Sequence, residues 1–414
     1  MMLCDFESRT LMKILFMANV APNPSSGAAG TEFQTTKALR DLGHNVDDVW
    51  TDELSHRVGH FNLYNLLELP LAYRNALKRK LQSTKYDVVH VNQPHGYLAA
   101  KALRTLDSQA IFVHRSHGLE GRVRCEVARW KRHYDQNDRP TWRRACSHLM
   151  DASLELNNLA IARYAHGHIV SASDCRDFLH NRYRVPLERI AVIPQASPEE
   201  FWNCAPKPMT EKRLKKILYV GQYAFVKAPM VLARAVEHIL TILPQATMTW
   251  VCDRRHHGEA RGLFTNQSIA SRVSFAEWRD QSNLLRVYDE HGVFLFPSFF
   301  EGFGKAFLEA MSRGLVVVAS NNGGMKDVIK DGQSGFLART GDWRQMANLA
   351  IQVVDNSDLA VRISTEGRRA SLSYSWRRVA TETASFYASL IDQRDSNQVM
   401  QSGALHHPSR SLER

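Results

Sequence analysis

Residues 293–337, VFLFPSFFEGFGKAFLEAMSRGLVVVASNNGGMKDVIKDGQSGFL, constrain the fold of this chain more than any other stretch. Val293–Phe296 is a short apolar run stopped by Pro297, the pattern of a buried strand. Residues 297–304 form a loop rich in Ser, Gly and aromatic side chains. Over Lys305–Ser312, Ala306, Phe307, Ala310 and Met311 recur at helical spacing, and Gly314 closes the helix. Residues 315–320 read as a second buried strand, followed by a turn at Gly323-Gly324 and a short helix ending near Gly332. Strand, loop and helix repeated in this way build a parallel sheet. Ligands of such sheets sit beyond the carboxyl ends of the strands, where Glu301 and Gly323 both fall.

Two carboxylates frame the first loop, Glu301 within it and Glu309 on the following helix. A carboxylate accepts two hydrogen bonds at once and so suits neighbouring hydroxyls on a hexose or a ribose. Gly302 and Gly304, on either side of Phe303, let backbone N–H groups approach a ligand closely. The helix N-terminus behind them favours a diphosphate. Together these groups fit a polyhydroxylated ligand that carries phosphate.

The rest of the chain repeats the theme. Residues 13–18 open as a strand, the loop 22–31 carries Gly27 and Gly30, and a helix follows from about Glu32 to Leu42. A glycine loop in that place commonly docks a phosphate. Strands are expected at 46–50, 87–91, 110–114, 167–170 and 190–194. His117-Gly118 comes just after one of them, so His117 faces the expected cleft. Residues 197–211, with Pro198, Pro206 and Pro208, are the linker candidate. A second domain begins with a strand at 216–221, and Lys227 follows in its loop, placed to neutralise a diphosphate.

The combined pattern is Pro297-Ser298-x-x-Glu301-Gly302-x-Gly304-x4-Glu309, then Gly323-Gly324-x-x-Asp327, then Asp331-Gly332-x-x-Gly335. It resembles the retaining glycosyltransferases of family 4, a group that includes glycogen synthases and mannosyltransferases. The resemblance implies an α/β GT-B fold, in which two Rossmann-like domains face each other across a cleft and a C-terminal helix crosses back. The implied boundaries are 12–200 for an acceptor domain and 214–374 for a donor domain. A crossover helix at 375–391 and a disordered tail from 392 complete the chain. Expected activity is transfer of a hexosyl group from a nucleotide sugar to a glycan or lipid-linked acceptor, with retention of configuration. By the resemblance, Glu301 and His117 serve the reacting sugar, while Gly30, Lys227, Gly302, Phe303, Gly304 and Glu309 hold the donor. Gly30-Thr31-Glu32 matches a loop that closes over it. The chain departs from the pattern at Gln222, where an arginine is usual, and Arg254 or Arg255 is a candidate substitute. It departs again at Gln195-Ala196, in place of Asn-Gly, a change expected to alter a turn without touching the chemistry.

Composition narrows the partners. No run is long and apolar enough to span a bilayer, and no secretory signal is evident. Six dispersed cysteines suggest reduced thiols in the cytoplasm. No Asp-x-Asp pair appears, so neither a metal nor any other cofactor is expected, and His256-His257 reads as a solvated loop. The net charge of +11 is concentrated in residues 115–144, where nine Lys or Arg meet four acidic residues, interleaved with Trp130, Tyr134 and Trp142. That segment suits either an anionic membrane face or acceptor, or a solvated helix with its aromatics turned inward. No motif supports nucleic acid as a partner. Two other classes stay open: a GT-B nucleotide-sugar epimerase, and a non-catalytic glycosyltransferase-like subunit.

Overall fold

The computed structural model describes residues 11–23, 28–106, 108–134, 141–277 and 281–404. Two six-stranded parallel sheets organise it. The first contains β1 (Lys13–Met17), β2 (Asn45–Val49), β3 (Val88–Asn92), β4 (Ile111–Ser116), β5 (Gly167–Val170) and β6 (Ile190–Val192), in the order β2-β1-β3-β4-β5-β6. The second contains β7 (Lys216–Val220), β8 (Thr247–Val251), β9 (Val273–Ala276), β10 (Val293–Phe296), β11 (Val316–Ser320) and β12 (Phe336–Ala338). Its order is β12-β11-β10-β7-β8-β9. Strand order reverses beside β1 and beside β7, which opens a crevice between β7 and β10 at their carboxyl ends. The loops that follow these two strands carry Lys227 and Glu301.

Helices cover both faces of each sheet, so the central strands are apolar throughout rather than alternating. All residues of Val293–Phe296 are buried, as are those of β11. On one face of the first sheet Ile14, Phe16, Val88, Ile111 and Val113 pack against Trp376, Val379, Tyr387 and Leu390. Those four belong to the last helix, Trp376–Ala404, which returns from the second domain to complete the first. Gly167 of β5 lies so close to Leu390 that a Cβ there would collide with it. The opposite face packs Leu15, Val89 and Phe112 against Leu69, Tyr73, Ala76 and Leu77.

Several expectations need correction. The first long helix begins at Ala28, so Gly30 is a buried residue of its opening turns and not part of a loop; Gly27 lies outside the described residues. The returning helix runs to Ala404, well past the expected end at 391, so the chain from 392 is helical before it leaves the described residues at 405. Residues 1–10 also lie outside them. β12 is a three-residue strand too short to show a period, and it forms because Val318–Ser320 offers it a ladder. The stretch between residues 50 and 87 contains the helix Leu69–Ser83 and a π-helical turn at Tyr64–Glu68.

Candidate active site

The site assembles on the crevice between β7 and β10. Glu301 lies in the loop after β10, only 7% exposed, and its carboxylate forms an ion pair with the Lys227 ammonium. The Ser298 hydroxyl donates to the same oxygen, Oε1, at 2.9 Å. The Glu301 backbone N–H donates to Asn322 Oδ1 at 3.2 Å, and Asn322 Nδ2 donates to the Ser298 carbonyl at 3.0 Å. The loop is therefore laced to β11's outgoing end.

The double glycine has a packing role that its sequence alone does not reveal. Gly323 has φ of +51°, and a Cβ there would overlap the Glu301 carbonyl oxygen. At Gly324 a Cβ would stand 2.6 Å from the Phe303 carbonyl oxygen. Only glycines let the helix Gly323–Val328 press against the loop and fix its height. Gly304, at φ +90°, begins the helix Lys305–Ser312 in a conformation that an L side chain resists. The Phe303 ring is buried against Phe307 and Tyr374, so only its backbone is available to a ligand.

Glu309 stands one helix further along. Tyr288 donates its hydroxyl to Oε2 at 3.0 Å. Burial pushes the Glu309 carboxyl above the usual carboxylate range, although Lys305 and the Tyr288 hydroxyl pull the other way. The folded protein thus binds a proton here more tightly than the unfolded chain does. Stability should fall as pH rises from the ordinary carboxylate range through the raised value. Glu309→Gln, which removes that charge, is expected to melt at a higher temperature than the parent at pH 8, with the gap closing near pH 4. Thermal melts of the two proteins at both pH values check this.

On the first domain, His117 is fixed through both ring nitrogens. Nε2 pairs with Glu32 Oε1, and Nδ1 accepts from Gln195 Nε2 at 3.1 Å. Thr31 in turn donates to Gln195 Oε1 at 3.3 Å. Burial alone would raise the Glu32 carboxyl, but His117 and Arg115 outweigh it and hold the group below its usual range. Gln195 is therefore part of the His117 network, and the expectation that this departure leaves the site untouched is corrected. Gly302 packs directly on the His117 carbonyl oxygen, where a Cβ would overlap it. The structure thus brings His117 together with Glu301, Gly302, Gly304 and Lys227. Gly30 lies two residues before Glu32 on the same helix, and Gln222 is exposed after β7. Arg255 is tied to Asp253 at 3.0 Å on the surface. His256 lies 3.6 Å from Glu259 while His257 bonds the Cys252 carbonyl, so the two point apart.

The seam between the domains accounts for much of the basic segment. The Trp130 ring stacks on Phe299 of the second domain at 4.4 Å, with Tyr134 beside it at 5.8 Å. Arg122 lies over Phe300 at 5.3 Å. Asp174 accepts the Gly323 N–H at 2.8 Å and pairs with Lys326, and the Asp327 carboxylate accepts the Ser173 backbone N–H at 2.6 Å. These aromatics turn inward, toward the other domain; the Trp142 side chain lies outside the described ones. Asn322 and Tyr288 carried no signal in the sequence, whereas Glu32 was read as part of the Gly30-Thr31-Glu32 loop, Gln195 as a changed turn and Ser298 as part of the Pro297–Glu309 pattern.

Two parallel sheets with a ligand crevice at each reversal, closed by a returning helix, define a GT-B glycosyltransferase fold. The chain resembles sucrose-phosphate synthase of Thermosynechococcus elongatus, with 20% identity, a TM-score of 0.72, and coverage of 92% of this chain and 100% of that one. It also resembles HepE of Anabaena, solved with UDP and glucose, at 16% identity and a TM-score of 0.64, covering 91% and 100%. At such identities the likeness speaks for the fold alone. Residues 202–370 match the model of Glycosyl transferases group 1, and residues 26–197 match that of Glycosyltransferase Family 4. The chain belongs to the family 4, group 1 glycosyltransferases. A D-inositol 3-phosphate glycosyltransferase of Corynebacterium efficiens is 25% identical over 227 residues, 51% of this chain and 53% of that protein. Its counterpart in Corynebacterium diphtheriae is 25% identical over 333 residues, 76% and 73%. The match thus spans about half the length of the first of these relatives. Among the described residues no helix is long and apolar enough to cross a membrane.

Proposed function

We propose that this protein transfers a hexosyl group from a nucleoside-diphosphate sugar to an acceptor hydroxyl, with retention of configuration. The observation that carries this reading is the Lys227–Glu301 pair at the β7/β10 crevice, with Glu309 one helix behind it. A diphosphate entering the crevice takes Lys227 as its counter-ion and frees Glu301 to receive sugar hydroxyls. Glu309 accepts from the ribose, and the N–H groups of 302–304 position the sugar. Charge develops on the departing diphosphate as the bond to the anomeric carbon breaks, so Lys227 and the helix N-terminus act more strongly in the transition state than before it. These groups supply the positive charge that the departing diphosphate requires. His117, locked by Glu32 and Gln195, presents its backbone edge to the sugar loop. A glycan or a lipid-linked acceptor is proposed, with the cytoplasm as the site of action and peripheral contact with an anionic membrane as part of the lipid-linked case. The relatives named for an inositol phosphate extend the acceptors worth testing to cyclic polyols.

A thermal-shift screen against UDP, GDP, ADP and their sugar conjugates tests the donor half. A ligand present at a hundred times its dissociation constant stabilises by about 2.7 kcal/mol. One nucleotide series should shift the parent and fail to shift Glu309→Ala. No shift with any nucleotide would turn the reading toward a non-catalytic subunit.

A further inference from the structure

A polar cluster is sealed inside the first domain, where its sheet meets the returning helix Trp376–Ala404. Glu32 and Thr35 come from the helix Ala28–Asp41, His90 from β3, Arg115 from β4, and Thr383 and Tyr387 from the returning helix. All six are 0% exposed, on a face whose other members, such as Phe16, Val88 and Val113, form an apolar core. An arginine seldom occupies such a place without a paired carboxylate. Arg115 has no direct ion pair among the described residues. Its hydrogen bond is a 3.4 Å contact from Nη1 to the Thr35 hydroxyl, and Nε and Nη2 have no partner. Glu32 Oε2, His90 Nε2 and Thr383 Oγ1 are in the same state. Tyr387 bonds the other His90 nitrogen, Nδ1, at 2.5 Å. Burial lowers the His90 ring to about 3 and pushes the Tyr387 hydroxyl up, so both are neutral and charge in the cluster rests on Glu32 and Arg115. Burial works against both charges, and each opposes that effect on the other.

The second oxygen of Glu32 leads to the active site, where Oε1 pairs with His117 Nε2. The Gln195 carbonyl oxygen is taken by the Thr31 hydroxyl, so the Gln195 amide nitrogen meets His117 Nδ1 and needs an acceptor there. The ring proton is therefore on Nε2 and is donated to Glu32. A hydrogen bond to an ionised acceptor is about twice as strong as one between neutral groups. The His117 carbonyl oxygen lies against Gly302, so a ring that loosens lets the end of the first sheet shift against the sugar loop.

We propose that Arg115 is a positioning residue of the transfer site: it secures Glu32 as a carboxylate, and that carboxylate holds the His117 ring, and with it the backbone that meets the sugar loop. Arg115 is fully buried and acts through Glu32 alone, without touching donor or acceptor. The inference rests on the glycosyltransferase reading and goes beyond it, because it ties one edge of the cleft to a charge sealed under the returning helix.

Two measurements on the full chain test it, with Arg115→Met, Arg115→Lys and Tyr387→Phe beside the parent. The first is NMR of histidine ring protons in protein carrying 15N-histidine at neutral pH, with His117→Asn identifying the signal. The parent should show an exchange-protected Nε2–H. Arg115→Met should exchange it about ten-fold faster, as a charge-assisted bond gives way to a neutral one. Arg115→Lys keeps the charge and should recover most of the protection. Tyr387→Phe removes a hydroxyl from the same cluster without changing its charge and should exchange like the parent, which separates charge from general loosening. The second measurement is release of nucleoside diphosphate from UDP-glucose, GDP-mannose and ADP-glucose with water as acceptor. Arg115→Met should lower kcat about ten-fold with KM unchanged, and Arg115→Lys should restore it. If Arg115→Met melts below the assay temperature, Arg115→Gln, polar but neutral, takes its place. No protected Nε2–H in the parent, unchanged exchange in the folded neutral variant, or a parent-like kcat in it would each overturn the assignment. A parent that neither binds these nucleotides nor turns over their sugars would instead overturn the glycosyltransferase reading, and the exchange rates would still decide the link from Arg115 to His117.

Discussion

Lys227→Ala is expected to lower kcat/KM by about 10²–10³, the usual loss when one preorganised charge-stabilising donor is removed from an active site. The ammonium lies at the β7/β10 crevice, and its present partner is the nearly buried Glu301 carboxylate. Removing it acts twice. The departing diphosphate loses its cation, and Glu301 keeps only the Ser298 hydroxyl as a side-chain hydrogen bond. Breaking one side of a buried ion pair costs about 3–5 kcal/mol, and the 22% exposure of the Lys227 side chain puts this case near the lower end. Glu301→Gln separates the effects, because it keeps the shape and the Ser298 contact while removing the charge. Both variants should still fold, which melting curves will show, and both should lose transfer. Activity close to that of the parent in Lys227→Ala would remove the cation from the mechanism.

Arg313→Ala should be the most destabilising single change outside the crevice. The guanidinium is 1% exposed and grips Asp289 through two bonds of 2.8 Å. It also donates to the carbonyls of Phe201, Cys204 and Ala205 at 3.0–3.1 Å, pinning the interdomain linker to the second domain. Its own carbonyl accepts from Arg213 at 2.6 Å. Truncation leaves Asp289 buried without its cation and three carbonyls without donors, a loss of about 3–5 kcal/mol. For a domain of this size that corresponds to a fall in Tm of roughly 10 °C. Arg313→Lys should recover little, since an ammonium cannot present the planar fork that these five acceptors require. Calorimetry on both variants, on Asp289→Asn and on the Arg313→Ala/Asp289→Asn double variant gives the coupling. If Arg313→Ala and Asp289→Asn are additive, the pair is not what holds the linker.

The second half of the site was legible because its signals are local. Glu301, Glu309 and the glycines between them sit on one strand-loop-helix unit, and their spacing is fixed by that unit's geometry. The first half was far less so. His117 could be placed at a strand end, but its partners Glu32 and Gln195 lie 85 and 78 residues away in the chain. No periodicity links residues that far apart. Gln195 looked like a changed turn because its side chain's reach to His117 depends on β4, β5 and β6 lying side by side. Gly323-Gly324 could be read as a turn, whereas its need for glycine comes from a loop packed against it. Trp130 could face solvent or protein equally well until Phe299 was placed beneath it. Helix Leu69–Ser83 went unread although Leu69, Ala72, Tyr73, Ala76 and Leu77 follow helical spacing, because lysines and arginines crowd the same segment.

The return of Trp376–Ala404 to the first sheet has a consequence for biosynthesis. Trp376, Tyr387 and Leu390 complete a core whose other members are translated hundreds of residues earlier. The N-terminal half emerges from the ribosome first and waits with one apolar face of its sheet uncovered while the whole second domain is made. Domains that hold such a face open during synthesis are exposed to aggregation and to chaperone capture. A chain cut before Trp376 is therefore expected to give less soluble first domain than the full chain, which fractionation of the expressed proteins would show.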